Sequence, residues 1–320
     1  MNPKIKKILP ELRENVLLKD YTTFKIGGPA KYFFVAREKD DLIRAIETAK
    51  KFKLPVFILG GGSNLLISDK GFKGLVIKLQ VTGCNTQGDK IFVFAGMSLT
   101  GLADFAAQNG FKGFEWSAGI PGTVGGAIFG NAQAFGDKIS DLVESVEVLD
   151  TKTLKIKKLS KKQCRFSLKN SVFKKNKNLV IISIVFYTQK DDKEKIKEKT
   201  KELLNYRKSH HPISFPSAGS TFVNPEVKIK NKKLLEKFPE LIEANKIGVI
   251  RSGYLIEKVG LKGKKIGGAQ ISEQHANFII NLGNAKAKDV TALIGLAQKK
   301  VKEVFGVSLE EEVQFVGFKN

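Results

Sequence analysis

The alternation of apolar and polar positions predicts strands and helices in turn along the chain. Residues 31–36 and 54–59 are short apolar runs typical of buried strands, and residues 39–52 between them repeat apolar side chains on one face of a helix. Residues 65–67 form a further apolar, extended run. We expect these elements to form a small α/β lobe that ends near Leu79.

The next part of the chain predicts a second lobe. From about Ile91 to Thr188 the pattern alternates strands with a helix at 98–109, and its last strand is Leu179–Phe186. A highly charged stretch follows and predicts a helix over Asp192–Tyr206, which we interpret as the link to a third region.

The third region mixes helices and strands, so the fold class expected for the whole chain is α+β. We expect a loop at His210–Ser220, followed by a strand near Ser220–Asn224, helices near Leu234 and at Gly253–Val259, a strand at Asn277–Asn281, a helix at Ala287–Phe305 and a final strand at Glu312–Val316. The predicted domains are therefore residues 1–80, 81–205 and 206–320.

Three consecutive glycines follow the predicted strand 54–59. Glycine adopts the positive φ angles that let successive backbone N–H groups converge on an anion. We interpret this loop as a cradle for the diphosphate of a dinucleotide, and a glycine-rich hairpin is the alternative interpretation. Its predicted cofactor-binding residues are Gly60, Gly61, Gly62, Ser63, Asn64 and Leu65.

A second glycine-rich loop runs from Ser117 to Ala127 and carries no charged side chain. An anion bound there would be held by backbone N–H groups and by the hydroxyls of Ser117 and Thr123. Neither loop follows the order of strand, G-x-G-x-x-G and helix that marks a Rossmann site, so a non-Rossmann scaffold is expected. The predicted cofactor-binding residues are Ser117, Gly119, Ile120, Pro121, Gly122, Thr123, Gly125 and Gly126.

The chain is strongly basic, but the distribution of its charge argues against a nucleic-acid partner. Its 320 residues include 55 Lys plus Arg and 32 Asp plus Glu, for a net charge of +23. The lysines are spread over polar positions and are rarely interleaved with the aromatic side chains that stack on bases. Such a surface still attracts anionic nucleotides and nucleotide sugars.

The sequence gives little support for a metal site, a disulfide or a membrane-spanning segment. The 2 cysteines and 3 histidines have no metal-ligand spacing and no disulfide framework, so we expect no metal. The longest apolar run, Leu179–Phe186, is too short to cross a membrane, and the N-terminus lacks an apolar signal-peptide region. We therefore expect a cytoplasmic protein without membrane insertion. Separately, we expect the protein to be a monomer.

Six motifs follow one another along the chain: Tyr21–Pro29, Leu59–Leu66, Gly119–Gly126, Cys164–Ser167, Ala218–Pro225 and Leu309–Gly317. Together they resemble the UDP-N-acetylenolpyruvoylglucosamine reductase (MurB) family. The resemblance spans nearly the whole chain, and the short connection between Arg165 and Leu179 is similar to the loop-less subtype. It implies an FAD-binding domain in two α/β lobes, of the vanillyl-alcohol-oxidase (PCMH) type, plus a substrate-binding α/β domain.

The resemblance also implies a reaction, the NADPH-dependent reduction of UDP-N-acetylglucosamine enolpyruvate to UDP-N-acetylmuramate for peptidoglycan. FAD takes hydride from NADPH and passes it to the β-carbon of the enolpyruvyl ether, which leaves an enolate to be protonated at the α-carbon. Arg165 would hold the substrate carboxylate, Glu312 would share a proton with it, and Ser220 would protonate carbon. Outside these motifs, the three would be an ordinary surface arginine, solvated glutamate and turn cap.

The resemblance extends to the ligand contacts, with several departures. Arg207 would contact the flavin, and Asn224, His210 and His275 would contact the substrate. Where the family often has tyrosine before the arginine, this chain has Cys164, and the other departures are Gln133 for Gly, Phe135 for Tyr, His210 for Gln or Lys, Val223 for Lys, Glu311 for Pro and Gln314 for Arg.

Two rival functions remain at this point. A flavin oxidase of the same superfamily acting on a sugar or alcohol commonly tethers its flavin through histidine or cysteine, and no such tether is evident near either glycine loop. A nucleic-acid-binding or nucleotide-binding protein would explain the charge but gives Arg165, Ser220 and Glu312 no purpose.

Overall fold

The computed structural model describes residues 3–318 and divides the chain into two compact units, each with its own hydrophobic core. The first unit consists of the N-terminal segment up to Leu17 together with Pro29–Gly62 and Phe72–Arg207. The second consists of Leu18–Gly28, Ser63–Gly71 and the chain from Lys208 onward. Two short N-terminal stretches therefore belong to a unit that is otherwise C-terminal.

The first unit contains two main sheets and the helices that cover them. Its strands are Arg13–Leu17, Pro29–Ala36, Val56–Leu59, Phe72–Leu79, Cys84–Gln87, Lys90–Phe94, Gln133–Ala134, Asp137–Lys138, Val143–Asp150, Lys155–Ser160 and Leu179–Tyr187. Its α-helices are Pro3–Ile8, Lys39–Lys51, Leu99–Gln108, Val124–Gly130, Ile139–Leu142, Val172–Lys175 and Lys193–His210, of which the last runs past the boundary at Arg207, and a 3₁₀ turn covers Glu115–Ser117.

A four-stranded sheet carries the first glycine loop. Its order is Arg13–Leu17, Pro29–Ala36, Phe72–Leu79 and Val56–Leu59, with the last three strands parallel to one another. Helix Lys39–Lys51 connects two of these parallel strands and buries its apolar face in the core, which is why its periodicity was visible in the sequence. The glycine loop thus begins at the C-terminal end of an edge strand.

A five-stranded antiparallel sheet forms the other half of this core. Its strand order is Lys155–Ser160, Val143–Asp150, Leu179–Tyr187, Lys90–Phe94 and Cys84–Gln87. The central strand pairs on both sides, and its side chains are mostly buried, which explains the long apolar run in the sequence.

The second unit is built on a four-stranded antiparallel sheet and a long helix. The sheet order is Ser217–Ser220, Phe278–Asn281, Ala269–Ile271 and Lys265–Ile266, and strands Gln314–Val316 and Leu65–Ile67 form a separate parallel pair. Its α-helices are Lys232–Lys237, Glu240–Ile247, Ser252–Lys258 and Ala287–Phe305, and a 3₁₀ turn covers Leu18–Tyr21.

The α+β class is confirmed, but two predicted strands were wrong in position. The strand expected near Ser220–Asn224 covers Ser217–Ser220, because the chain beyond it turns to another segment: Phe222 forms an isolated bridge with Glu311, and the N–H of Val223 donates to the carbonyl of Glu310. The last strand begins at Gln314, so Glu312 lies before it rather than on it. Helices Val124–Gly130 and Glu240–Ile247 were not predicted.

No helix among residues 3–318 is long and apolar enough to cross a membrane. Over the same range, no group of three or more His, Cys, Asp or Glu side chains is arranged to hold a metal ion.

Candidate active site

The loop Gly60–Gly62 is not a hairpin turn. Strand Val56–Leu59 before it pairs with Phe72–Leu79, whereas strand Leu65–Ile67 after it pairs with Gln314–Val316. The loop therefore carries the chain from the first unit into the second, which begins at Ser63. Gly62 adopts φ +67°, a conformation that favours glycine.

The two glycine loops of the first unit touch through their backbones. A Cβ built on Gly61 would lie 2.5 Å from the Cα of Gly122, and one built on Gly60 would lie 2.6 Å from Oγ1 of Thr123. Side chains have no room at this contact, so glycine is required at Gly60 and Gly61 by close approach and not by backbone torsion. The sequence predicted both loops as one cofactor site, and the structure brings Gly60 and Gly61 against Gly122 and Thr123.

Most backbone N–H groups of the second loop already donate to acceptors within the first unit. The N–H groups of Val124 and Gly125 donate to the carbonyls of Met97 (2.9 Å) and Ala95 (2.8 Å). The N–H of Gly126 donates to Oγ1 of Thr123 at 3.3 Å, which caps helix Val124–Gly130.

Ser117 also has an internal partner. Its side chain is fully buried, and its hydroxyl donates to the carbonyl of Phe114 at 2.7 Å. By contrast, no group among residues 3–318 accepts a hydrogen bond from the N–H of Gly61 or Gly62. The same is true of the N–H groups of Gly122 and Thr123 on the second loop, so unpartnered backbone donors lie on both sides of the loop contact, where an anion would satisfy them.

Arg207 lies beside the second loop with part of its hydrogen-bonding capacity unused. Its Nη2 donates to the carbonyl of Trp116 at 2.8 Å, and its guanidinium lies 5.0 Å from the ring centroid of Phe135. Its Nε is buried and has no partner within the described chain, and burial lowers the pKa of the guanidinium. A Cβ built on Gly119 would lie 3.5 Å from Cδ of Arg207. Arg207, the predicted flavin contact, thus has a buried, unsatisfied donor next to the loop.

Phe135 and Gly136 form the tip of a small hairpin. Strands Gln133–Ala134 and Asp137–Lys138 pair, and both tip residues have positive φ, +56° and +94°. Gln133, at the position where the resemblance leads us to expect glycine, is not among the residues with positive φ. The backbone at this departure therefore does not require glycine.

Arg165 lies on an exposed turn with φ +47°, an uncommon value for a residue with a side chain. Asn131 holds this turn to the end of helix Val124–Gly130, because its Nδ2 donates to the carbonyl of Ser167 at 2.8 Å. Among the described residues, none forms an ion pair with the Arg165 guanidinium. The side chain is thus exposed and positioned by a constrained turn.

Cys164, at the position where the resemblance leads us to expect tyrosine, lies inside the core of the first unit. Its side chain is fully buried, and burial raises the pKa of its thiol to about 11. The thiol is therefore neutral at physiological pH and is not available as a nucleophile.

In the second unit, the backbone holds Ser220 and Glu312 close together. The carbonyl of Thr221, the residue after Ser220, accepts from the N–H of Glu312 at 2.8 Å. An isolated bridge joins Phe222 to Glu311, and the N–H of Thr221 donates to the carbonyl of Asn277 at 2.7 Å. Ser220 and Glu312 are both half-buried. Two of the three predicted catalytic residues are thus neighbours, although 92 positions separate them in the sequence.

Asn64, Leu65 and Ser63 belong to the second unit. The Asn64 side chain donates from Nδ2 to the carbonyl of Glu312 at 3.1 Å. The backbone carbonyl of Asn64 accepts from the N–H of Gln314 at 3.0 Å. Leu65 is buried and pairs with Gln314. Within this unit the Ser63–Leu65 segment therefore fixes the backbone that carries Glu312.

His275 lies in an aromatic cluster with His211, a residue that the sequence did not single out. The ring centroids of His275 and His211 are 5.6 Å apart, and Phe278 lies 4.9 Å from His275. Burial lowers the pKa of His275, and its Nδ1 accepts from the N–H of Asn277 at 3.2 Å. The neutral ring therefore carries its proton on Nε2, which makes Nε2–H a donor.

The remaining predicted substrate residues are on the surface. His210 is exposed at the end of helix Lys193–His210, with Nδ1 2.8 Å from the Ser209 hydroxyl. Asn224 is exposed, and its Oδ1 accepts from the N–H of Ser252 at 3.0 Å, which stabilises the start of helix Ser252–Lys258. Asn224 is therefore fixed in orientation by this bond.

The first unit also has a cavity of about 710 Å³ that contains none of the predicted site residues. Its walls carry both signs of charge, and Lys112 and Lys199 pair there with Asp191 (3.9 Å) and Glu202 (2.9 Å). We therefore interpret this cavity as a solvated, charged surface feature.

Domain profiles and full-length relatives both match this chain. The sequence profile of the FAD binding domain matches residues 30–159, and that of the C-terminal domain of UDP-N-acetylenolpyruvoylglucosamine reductase matches residues 211–316. The reductase of Caldanaerobacter subterraneus subsp. tengcongensis is 42% identical over 99% of this chain and 98% of its own length. That of Clostridium novyi is 38% identical over 99% of this chain and 96% of its own length.

A solved structure agrees with these relatives. The crystal structure of UDP-N-acetylenolpyruvylglucosamine reductase (MurB) from Thermus caldophilus is 32% identical, covers 95% of this chain and 99% of its own, and superposes with a TM-score of 0.76. The similarity therefore includes both units and extends over nearly the full length of each relative.

Proposed function

The chain belongs to the UDP-N-acetylenolpyruvoylglucosamine reductase family, and from this we propose that it reduces UDP-N-acetylglucosamine enolpyruvate to UDP-N-acetylmuramate with NADPH as reductant. It is an FAD-dependent oxidoreductase. The observation that carries the proposal is the approach of Ser220 to Glu312 through the Thr221 carbonyl, which brings a hydroxyl and a carboxylate into one neighbourhood of the second unit.

The residues of the first unit suit FAD. The close approach of Gly61 to Gly122 leaves no room for a side chain between the two loops, and the unpartnered N–H groups of Gly61 and Gly62 suit a diphosphate. Arg207 offers a buried Nε donor beside Gly119 for the ring. When bound, FAD supplies the two-electron chemistry that joins oxidation of NADPH to reduction of the enolpyruvyl double bond.

Ser220 is proposed to deliver a proton to the α-carbon of the substrate enolate. A hydroxyl is a weak acid, so this transfer needs a strongly basic acceptor and a fixed geometry. The acceptor is the carbanionic enolate, and the geometry is supported by the pairing of Ser220 with Phe278 and by the Thr221 hydrogen bonds. Glu312, held by Thr221 and by the Asn64 side chain, is proposed to share a proton with the enolate carboxylate.

Arg165 is proposed to bind the substrate carboxylate. A guanidinium forms two parallel hydrogen bonds with a carboxylate, and these strengthen as negative charge develops there. The exposed side chain and the left-handed turn held by Asn131 support this role. His275 is proposed to donate from Nε2 to an oxygen of the nucleotide sugar, since its Nδ1 already accepts from Asn277.

The test is to follow the flavin spectrum of the purified protein. We expect absorbance bands of FAD, loss of the oxidised band on anaerobic addition of NADPH, and its return on addition of UDP-N-acetylglucosamine enolpyruvate with formation of UDP-N-acetylmuramate. A flavin that is reduced by a sugar or alcohol, and not reoxidised by the enolpyruvyl sugar, would instead indicate an oxidase.

A further inference from the structure

Lys78 lies beside the first glycine loop, and the sequence did not single it out. It is on strand Phe72–Leu79, where it pairs in register with Leu59, the residue before Gly60. Its Nζ donates a hydrogen bond to the carbonyl of Gly60. A lysine on a neighbouring strand therefore holds the first peptide group of the loop.

This contact determines the direction of the next donor. In a trans peptide the carbonyl of one residue and the N–H of the following residue point in opposite directions, and the described chain has no cis peptide bond. Fixing the Gly60 carbonyl toward Lys78 therefore directs the Gly61 N–H away from it. That N–H is one of the loop donors for which residues 3–318 provide no acceptor.

The charge of Lys78 is also uncompensated. The ammonium group is partly buried, and burial lowers its pKa, with no carboxylate contributing to the shift. No ion pair within the described chain includes it. A partly buried cation without a counter-ion is unfavourable by itself and is stabilised by a bound anion.

We infer that Lys78 is a positioning residue for the FAD diphosphate: it orients the Gly61 N–H through the Gly60 carbonyl and supplies a positive charge behind the loop. The inference rests on the proposed placement of the diphosphate at Gly60–Gly62. It goes beyond that placement by assigning the affinity of the loop for phosphate to a side chain outside it.

The experiment compares ligands with and without phosphate. Apoprotein is titrated with FAD and with riboflavin, and flavin fluorescence is recorded for the wild type, Lys78→Met, Lys78→Arg and the control Lys73→Met, an exposed lysine on the same strand. We expect Lys78→Met to weaken FAD binding about 10- to 100-fold, the range for losing a charge-assisted contact, and to leave riboflavin binding unchanged within about twofold. Lys78→Arg should retain most of the FAD affinity, and Lys73→Met all of it.

A pH series separates this role from a purely structural one. Protonated Lys78 favours the bound anion, so wild-type FAD affinity should fall as pH rises through the lowered pKa of Lys78, while Lys78→Arg stays flat over the same range. Equal FAD affinity in wild type and Lys78→Met, or equal loss of FAD and riboflavin, would overturn the inference. Absence of FAD binding by the wild type would instead overturn the proposed function.

Discussion

The contact between the two glycine loops allows a quantitative prediction for Gly61→Ala. A Cβ at this position would lie 2.5 Å from the Cα, 3.0 Å from the carbonyl carbon and 3.3 Å from the nitrogen of Gly122. All three are backbone atoms, so no flexible side chain can move aside. Gly61 is not among the residues with positive φ, and the strain of the substitution therefore comes from space alone.

The magnitude follows from the displacement required. Ordinary van der Waals contact begins near 3.4 Å, so the two loops must separate by about 1 Å. Overpacking of this kind costs about 1–3 kcal/mol. The free loops can relax apart, whereas a bound diphosphate needs them in place, so we expect most of this cost to appear as FAD affinity weakened by about 5- to 150-fold. Gly61→Val, with a larger side chain, should bind no FAD.

The assay is fluorescence titration of flavin-free protein with FAD, with circular dichroism of the same samples to verify folding. Gly130→Ala is the matched control, because it lies in helix Val124–Gly130, has ordinary φ and would place its Cβ where no atom lies within 4 Å. The control should bind FAD as the wild type does. Wild-type FAD affinity in Gly61→Ala, or a fully loaded yellow Gly61→Val protein, would refute the placement of the cofactor at this loop.

Three further predictions concern catalysis and stability. In Ser220→Ala and Glu312→Gln, stopped-flow reduction of the flavin by NADPH should stay near the wild-type rate while reoxidation by the enolpyruvyl sugar slows at least ~100-fold; a parallel loss in both half-reactions would point to a folding defect instead. Burial raises the pKa of the Cys164 thiol from 9.0 to about 11, so on raising the pH the thiol of the unfolded chain loses its proton before that of the folded protein. The free energy of unfolding should therefore fall between these pH values by at most about 1.4 kcal/mol per pH unit. Urea titrations should show this slope for the wild type and not for Cys164→Val. Gly295→Ala, on the exposed face of helix Ala287–Phe305 with no atom within 4 Å of the new Cβ, should stabilise the protein by about 0.5–1 kcal/mol, and an unchanged or lower Tm would contradict this.

The sequence predicted well those elements whose determinants are local. Helix Ala287–Phe305 has the predicted bounds, because its apolar side chains recur on one face over five turns and Gly306 ends it in a left-handed conformation. The central strand Leu179–Tyr187 was equally visible, since burial on both sides makes it continuously apolar. The strand near Ser220 was misplaced, because the residues that follow it pair with Glu310 and Glu311, which are distant in sequence.

In the candidate site, too, the features set by short segments were predicted, and those set by contacts with distant residues were not. Both glycine loops and all three proposed catalytic residues were identified from motifs in the sequence. The internal use of Ser117 and Thr123 was not, because their partners are backbone groups that only the folded loop brings near. His211 lacked a signal as well, since its contact with His275 joins residues 64 positions apart.

By itself, the sequence determined the family, the α+β class and the glycine loops, because apolar periodicity and the conformational freedom of glycine belong to short segments. Only the tertiary structure decided that Leu18–Gly28 and Ser63–Gly71 join the C-terminal unit. It also decided that Thr221 holds Glu312 beside Ser220 and that Lys78 donates a hydrogen bond to the Gly60 carbonyl. These contacts depend on which strands pair and in what register. Burial of the whole core decides this pairing, and the residues next to each strand in the sequence do not indicate it.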